Sequence, residues 1–169
     1  MKKLLMPLML ALAAASPAAA QQTQTAIANF IGADGKETGR ASLTESKAGV
    51  MIELEAQNFP PNTWVGFHVH ETGKCDAADH HKSAGAHFNP GKTEHGFLAA
   101  NGPHAGDMPN LYVGADGTIH AQVFNTAVTL NEGDNGIRGR ALMIHARSDD
   151  YRSQPAGDAG DRLGCAVIE

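Results

Sequence analysis

From residue 49 to 57 the chain alternates with a period of two: Val50, Ile52, Leu54 and Ala56 on one side, Met51, Glu53, Glu55 and Gln57 on the other. Such a pattern specifies a β-strand with one face in a core and the other in water, and an antiparallel sheet is its usual setting. Shorter strand-like stretches lie at 25–31, 40–45, 64–70, 111–113, 118–124, 140–146 and 163–168, separated by turns such as Gly32-Ala33-Asp34-Gly35 and Gly114-Ala115-Asp116-Gly117. No stretch has the apolar period of a long amphipathic helix, and no repeat, low-complexity tract or interdomain linker interrupts the series. The pattern predicts one all-β domain of about eight short strands, arranged as a Greek-key β-sandwich or flattened barrel.

One of these strands carries chemistry. Trp64-Val65-Gly66-Phe67-His68-Val69-His70 is rich in aromatic and β-branched residues. Side chains two apart on a strand share a face, so His68 and His70 project together with Cα atoms about 7 Å apart, close enough for both imidazoles to reach one ion. Against the strands stand two long polar stretches, 71–110 and 147–162. Structureless segments of the first one's length are uncommon in a compact domain unless they serve a function. This one holds His80, His81, His87, His95 and His104, five of the nine histidines, and is predicted to be a functional loop held by metal and a disulfide rather than by a core.

At the N-terminus Lys2 and Lys3 precede an uncharged apolar run over 4–15, and Ala18-Ala19-Ala20 offers a small-residue cleavage site before Gln21. Residues 1–20 therefore read as a secretory signal peptide, whose apolar core is shorter than the ~20 residues a membrane span requires. The expectation is a mature domain over 21–169, exported to the periplasm and free of the membrane after cleavage. Losing Lys2 and Lys3 takes the formal charge from −5 to −7. With no Lys/Arg-rich run, neither nucleic acid nor an anionic membrane surface is an expected partner. In an oxidising compartment Cys75 and Cys165 are expected to pair. Closing a loop of about 90 residues stabilises a fold by about 4–5 kcal/mol on the chain-entropy model. A blue-copper role for a cysteine is disfavoured, because a histidine and a methionine would have to follow it, and only Ala166-Val167-Ile168-Glu169 follow Cys165.

Imidazole and carboxylate are ligands suited to copper(II) and zinc. His68, His70, His87, His95, His104, Asp107 and His145 are more than one tetrahedral ion needs, so two ions are expected. Gly66-Phe67-His68-Val69-His70-Glu71, Gly85-Ala86-His87-Phe88-Asn89-Pro90, His104-Ala105-Gly106-Asp107 and Gly160-Asp161-Arg162-Leu163-Gly164-Cys165 resemble the copper/zinc superoxide dismutases, and the resemblance runs through essentially all of the mature chain. It implies that His68, His70 and His145 hold copper, that His87 bridges both metals, and that His95, His104 and Asp107 complete a closed zinc site. Asp149 matches the carboxylate that links a copper histidine to a zinc histidine. Arg162 matches the arginine that meets the substrate anion, and Cys75 and Cys165 match the family disulfide. The implied reaction is disproportionation of two superoxide anions to oxygen and hydrogen peroxide, with His87 releasing copper in its reduced state and delivering a proton to the departing peroxide.

The sequence departs from the family in places. His80 and His81 match no ligand and are predicted to be solvated loop residues, and His120 a surface histidine. The insertion around Asp79-His80-His81-Lys82 resembles the bacterial exported branch. The guiding lysine and threonine of the animal enzymes have no clear counterparts, which leaves Arg147, Arg152 and Lys82 as candidates for steering the anion. Gly164 and Ala166 flank Cys165 where the family usually has Ala and Gly. A monomer and a homodimer are both compatible with the chain. Two other functions are weighed: a non-catalytic copper-binding or delivery module of the same fold, and a zinc hydrolase. Loss of a copper ligand or of the arginine would favour the first, and His68, His70, His87, His145 and Arg162 are all in place. The second lacks an HExxH-type helix.

Overall fold

The computed structural model describes residues 23–131 and 133–169, so the expected signal peptide lies outside the described residues. Nine strands form among the described residues: β1 (Thr25–Gly32), β2 (Glu37–Ser46), β3 (Gly49–Ala56), β4 (Trp64–Val65), β5 (Phe67–His70), β6 (Leu111–Tyr112), β7 (Ile119–Asn125), β8 (Ala141–His145) and β9 (Arg162–Ile168). Seven make one antiparallel sheet in the order β5-β8-β9-β1-β2-β3-β7, while β4 and β6 pair separately. β4 runs through Gly66 into β5 at one edge of the sheet, and β6 turns through residues 114–117 into β7 at the other. The sheet curls into a half-barrel, and the connections β3 to β4 and β7 to β8 cross it in Greek-key fashion. The all-β expectation holds, with nine strands in place of about eight.

The extra strand comes from a break. The run predicted as one strand over 64–70 is interrupted at Gly66, whose N–H donates to the Arg147 carbonyl at 2.8 Å and whose carbonyl accepts from the His145 N–H at 2.9 Å. A Cβ at Gly66 would stand 3.0 Å from the Ala159 Cβ and 3.2 Å from the His68 Cε1, so only glycine lets the 147–160 segment approach this closely.

The period of two does what it predicts. On β3, Val50, Ile52, Leu54 and Ala56 are buried while Met51, Glu53 and Glu55 are exposed. Phe30, Leu43, Ile52, Phe67, Ile119, Leu142 and Ile144 fill the barrel interior. β5 and β8 differ in being buried on both faces. Their inner face supplies Phe67, Val69, Leu142 and Ile144 to the core, and their outer face carries His68, His70, Met143 and His145.

The 71–110 segment covers that outer face. It pairs with the open edge of β5, the Val69 N–H donating to Gly106 and the Phe88 N–H to Val69, each at 2.8 Å, and the Glu71 N–H to Ala86 at 2.9 Å. The edge strand thus has its backbone groups satisfied by the loop rather than by another strand. Within the segment two short 3-10 turns form, Ala77–Asp79 and Lys82–Ala84, the first capped by the Asp76 side chain accepting from the Ala78 N–H. The disulfide Cys75–Cys165 ties the segment to β9, over a small apolar cluster of Ala84, Ala141, Met143 and Cys165.

The solvated pair predicted at 80–81 is half corrected. His80 is exposed, but the His81 side chain is buried at 0 % exposure. Both residues are left-handed, each with φ of 58°, and reverse the chain between the two turns so that one ring stays outside and the next goes in. His120 is exposed on β7 beside its cross-strand neighbour Glu55, 3.7 Å away.

Candidate metal centre

The structure brings all seven predicted metal-ligating residues together under the 71–110 segment. His68, His70, His87 and His145 form one buried group and His87, His95, His104 and Asp107 a second; within each group every residue offers a ligand atom within 4.8 Å of the others. His87 belongs to both. Local structure explains each placement. His68 and His70 share the outer face of β5 by strand alternation. His145 ends β8 at a bulge: the β8–β9 register shifts between Ile144 and His145, so that His145 pairs with Arg162 instead of Leu163. Directly opposed residues lie on the same face of a sheet, and the bulge thereby puts Arg162 beside the histidine cluster rather than facing the core.

Hydrogen bonds decide which nitrogen of each ring is available. His70 Nδ1 donates to the Gly85 carbonyl at 3.0 Å and His145 Nδ1 to the Gly160 carbonyl at 3.3 Å. Their Nε2 atoms are left as lone pairs facing one another at 3.4 Å, an arrangement that calls for a cation between them. Asp149 takes His68 Nε2 on Oδ2 at 2.8 Å and His95 Nε2 on Oδ1 at 3.0 Å. His68 Nδ1 and His87 Nε2 are buried with no hydrogen-bond partner, and His104 Nδ1 has only a poorly aligned approach to Asp107. In the second group Asp107 Oδ1 is approached by Nδ1 of His87, His95 and His104 at 3.1, 3.0 and 3.3 Å. The other oxygen, Oδ2, accepts the Gly96 and His104 N–H groups at 2.8 and 3.0 Å, which fixes the carboxylate. Buried nitrogens without partners are rare in native proteins, and here they converge where two cations would sit. The donor set fits copper in the first group and zinc in the second.

The electrostatics agree with that fit. Burial pushes His68, His70 and His145 below the ordinary histidine range, and His87 down to about 4. All four are therefore neutral near pH 7 and offer lone pairs. His95 goes the other way: burial opposes its charge, but hydrogen bonds to Asp107 and Asp149 outweigh burial and raise it to about 9. Burial also opposes charge on Asp107 and Asp149, yet the histidines around them hold both carboxyls well below the usual carboxylate range.

Arg162 donates to the His81 carbonyl from Nη1 and to the Gly85 carbonyl from Nη2, each at 2.6 Å. Of the three candidate steering cations, Lys82 lines the same surface cavity as Arg162, whereas Arg147 is paired with Asp158 at 2.8 Å. Several participants have no signature in sequence. The carbonyls of His81, Gly85 and Gly160 orient Arg162, His70 and His145, and any residue has a carbonyl. Gln154 brackets the His95 main chain with two bonds of 2.9 Å, and Asn110 holds the Asp149 main chain with two of 2.8 Å.

Comparison with known proteins gives the same direction. Residues 37–168 match the family model described as copper/zinc superoxide dismutase (SODC). The chain is 47% identical over 146 residues to Superoxide dismutase [Cu-Zn] 1 of Aquifex aeolicus, covering 84% of this chain and 86% of that one. Among solved structures it is similar to a SOD-like protein from Bacillus subtilis (TM-score 0.81, 34% identity, 85% of this chain and 97% of that one). It is also similar to the Cu/Zn superoxide dismutase from Brucella abortus (TM-score 0.73, 30% identity, 86% and 100%). A curled Greek-key sheet, two histidine groups sharing one imidazole and a family match across most of the chain place this protein in the copper/zinc superoxide dismutase family.

Proposed function

We propose that the protein is an exported superoxide dismutase, and that the shared position of His87 carries the reading. The lone pairs of His68 Nδ1, His70 Nε2, His87 Nε2 and His145 Nε2 would hold copper. His87 Nδ1, His95 Nδ1, His104 Nδ1 and Asp107 Oδ1 would hold zinc. When bound, copper supplies one-electron chemistry between Cu(II) and Cu(I), by which one superoxide leaves as oxygen and a second as hydrogen peroxide.

The chain's own residues do the rest. His87 carries or releases a proton at Nε2, because its Nδ1 is committed to the second group, and hands that proton to the peroxide, whose second proton comes from solvent water. Arg162 presents a fixed cation to a small anion, oriented by two carbonyls rather than neutralised by a carboxylate. Asp149 accepts from Nε2 of both His68 and His95, which leaves His68 Nδ1 free for the first group and turns His95 Nδ1 toward Asp107 in the second. The Cys75–Cys165 bridge holds the loop that carries the two carbonyls.

The domain is taken to be 21–169, released by cleavage after Ala20 and delivered to the periplasm. The basic and apolar N-terminal pattern and the disulfide support that location. N-terminal sequencing of the secreted protein should read from Gln21.

Metal analysis of the purified mature chain beside superoxide consumption tests the function. About one copper and one zinc per chain are expected from the two donor groups, with turnover and copper lost in His145→Ala. Metal bound in these amounts without superoxide turnover would refute the enzyme and point to a copper-binding module of the same fold.

A further inference from the structure

We infer that His81 is a positioning residue for Arg162: its buried ring keys the 81–85 segment against the barrel, so that the His81 and Gly85 carbonyls hold the guanidinium at the site. The inference rests on the role given to Arg162 above.

Three observations carry it. First, the His81 ring is buried at 0 % exposure, yet neither Nδ1 nor Nε2 has a hydrogen-bond partner. Its one polar neighbour is the main chain of Gly32 at the end of β1, a hydrogen-bonding approach of loose geometry, and burial outweighs it and the carboxylates of Asp79 and Asp76 to hold the ring below the ordinary histidine range. A buried ring whose polar contact is confined to one loosely aligned backbone group anchors its segment mainly through the volume it fills.

Second, Arg162 depends on the segment that this ring anchors. Among the described residues no carboxylate is within ion-pair distance of Arg162; its two short contacts are the carbonyls of His81 and Gly85. The Gly85 carbonyl also accepts from His70 Nδ1, so one oxygen sets the arginine and orients a ring of the histidine cluster.

Third, the segment is short and its other anchors lie at its Gly85 side, where the Thr72 N–H donates to the Ala84 carbonyl at 3.0 Å and buried Ala84 packs beside the disulfide, which leaves the ring to fix the His81 side. The segment is a three-residue 3-10 turn, Lys82–Ala84, with main-chain bonds of 2.8 Å from His81 to Asp76, 3.2 Å from Ala84 to His81 and 3.0 Å from Gly85 to Lys82. Isolated turns of this kind are marginal, and their position comes from packing. Emptying the His81 pocket lets the carbonyls shift, and an ångström of misplacement in a group that meets substrate is enough to cost rate.

A double-mutant cycle tests this. His81→Ala should lower superoxide turnover per bound copper about fivefold and weaken azide binding at the copper by a similar factor. In an Arg162→Met background, His81→Ala should have a much smaller effect on either, confined to what passes through the Gly85 carbonyl to His70. His81→Phe, which restores an aromatic ring, should recover most of the loss. Independently of metal, Arg162 in His81→Ala should react faster with phenylglyoxal, read by peptide mapping. If His81→Ala does not fold, His81→Val takes its place in the same cycle. Wild-type turnover in His81→Ala, an equal loss in the Arg162→Met background, unrecovered activity in His81→Phe, or unchanged modification of Arg162 would each overturn the inference. Unchanged turnover in Arg162→Met alone would instead overturn the role given to the arginine.

Discussion

Replacing Asp149 by asparagine is the sharpest probe of how the two histidine groups are tuned. Asp149 Oδ1 accepts from His95 Nε2 at 3.0 Å and from the Tyr151 N–H at 2.6 Å, while Oδ2 accepts from His68 Nε2 at 2.8 Å. An asparagine would keep its carbonyl oxygen on the Oδ1 side, where two donors converge, and turn its amide toward His68. Two N–H groups would then meet. His68 escapes only by moving its proton to Nδ1, the nitrogen that is buried without a partner and faces the first group. The charge-assisted bond lost there is worth about 1.5–3 kcal/mol, and loss of such a supporting carboxylate typically costs about 10–100-fold in metal affinity. Copper should suffer more than zinc, because His95 retains its acceptor. Competition against a chelator of known affinity would measure both metals, with far-UV circular dichroism as a check that the sheet is intact. Wild-type copper affinity in Asp149→Asn would refute the claim that this carboxylate selects the His68 tautomer.

Three further outcomes are expected. Gly157 has φ of +68°, and a Cβ there would overlap the Asp149 carboxylate and stand 2.6 Å from His95 Nε2. Gly157→Ala should therefore lose zinc and about 3 kcal/mol of stability through left-handed strain and a broken buried hydrogen bond, and normal zinc content with an unchanged Tm would contradict this. Cys75→Ser should lower stability by about 4–5 kcal/mol, measured by denaturant titration, from the loop of 90 residues that the bridge closes; a shift under 1 kcal/mol would show that the loop is held otherwise. In the metal-free protein His95 is raised from 6.5 to about 9, so its charged form contributes stability that is whole below pH 6.5 and is lost as pH rises through about 9. Thermal unfolding of the metal-free chain should show Tm falling across that window; a Tm flat or rising there would rule the effect out.

How much was legible beforehand depends on the range of the interaction concerned. Val50, Ile52, Leu54 and Ala56 announce a half-buried strand because side chains two apart must share a face, and the strand is there. The same rule put His68 and His70 on one face before any contact was known. The break at Gly66 was not legible, since it arises from the close approach of Ala159 and the Arg147 carbonyl, more than eighty residues away. His81 was misjudged for a related reason. A polar residue in a Gly- and Asp-rich stretch has every local mark of a solvated one, and only the chain reversal at 80–81, packed against the end of β1, takes its ring inside.

The sequence by itself determined the strand period, the cysteine pair and the order and chemical type of the residues gathered at the centre. Each of these follows from side-chain identity and local geometry. Only the tertiary structure decided which ring nitrogen each histidine leaves free, because that depends on a carbonyl or carboxylate brought from elsewhere: Gly85 to His70, Gly160 to His145, Asp149 to His68 and His95. It also decided that Arg162 stands beside His145, through one shifted register between β8 and β9. Backbone acceptors are alike at every residue and a bulge leaves no pattern of its own, so these features exist only once distant segments have packed.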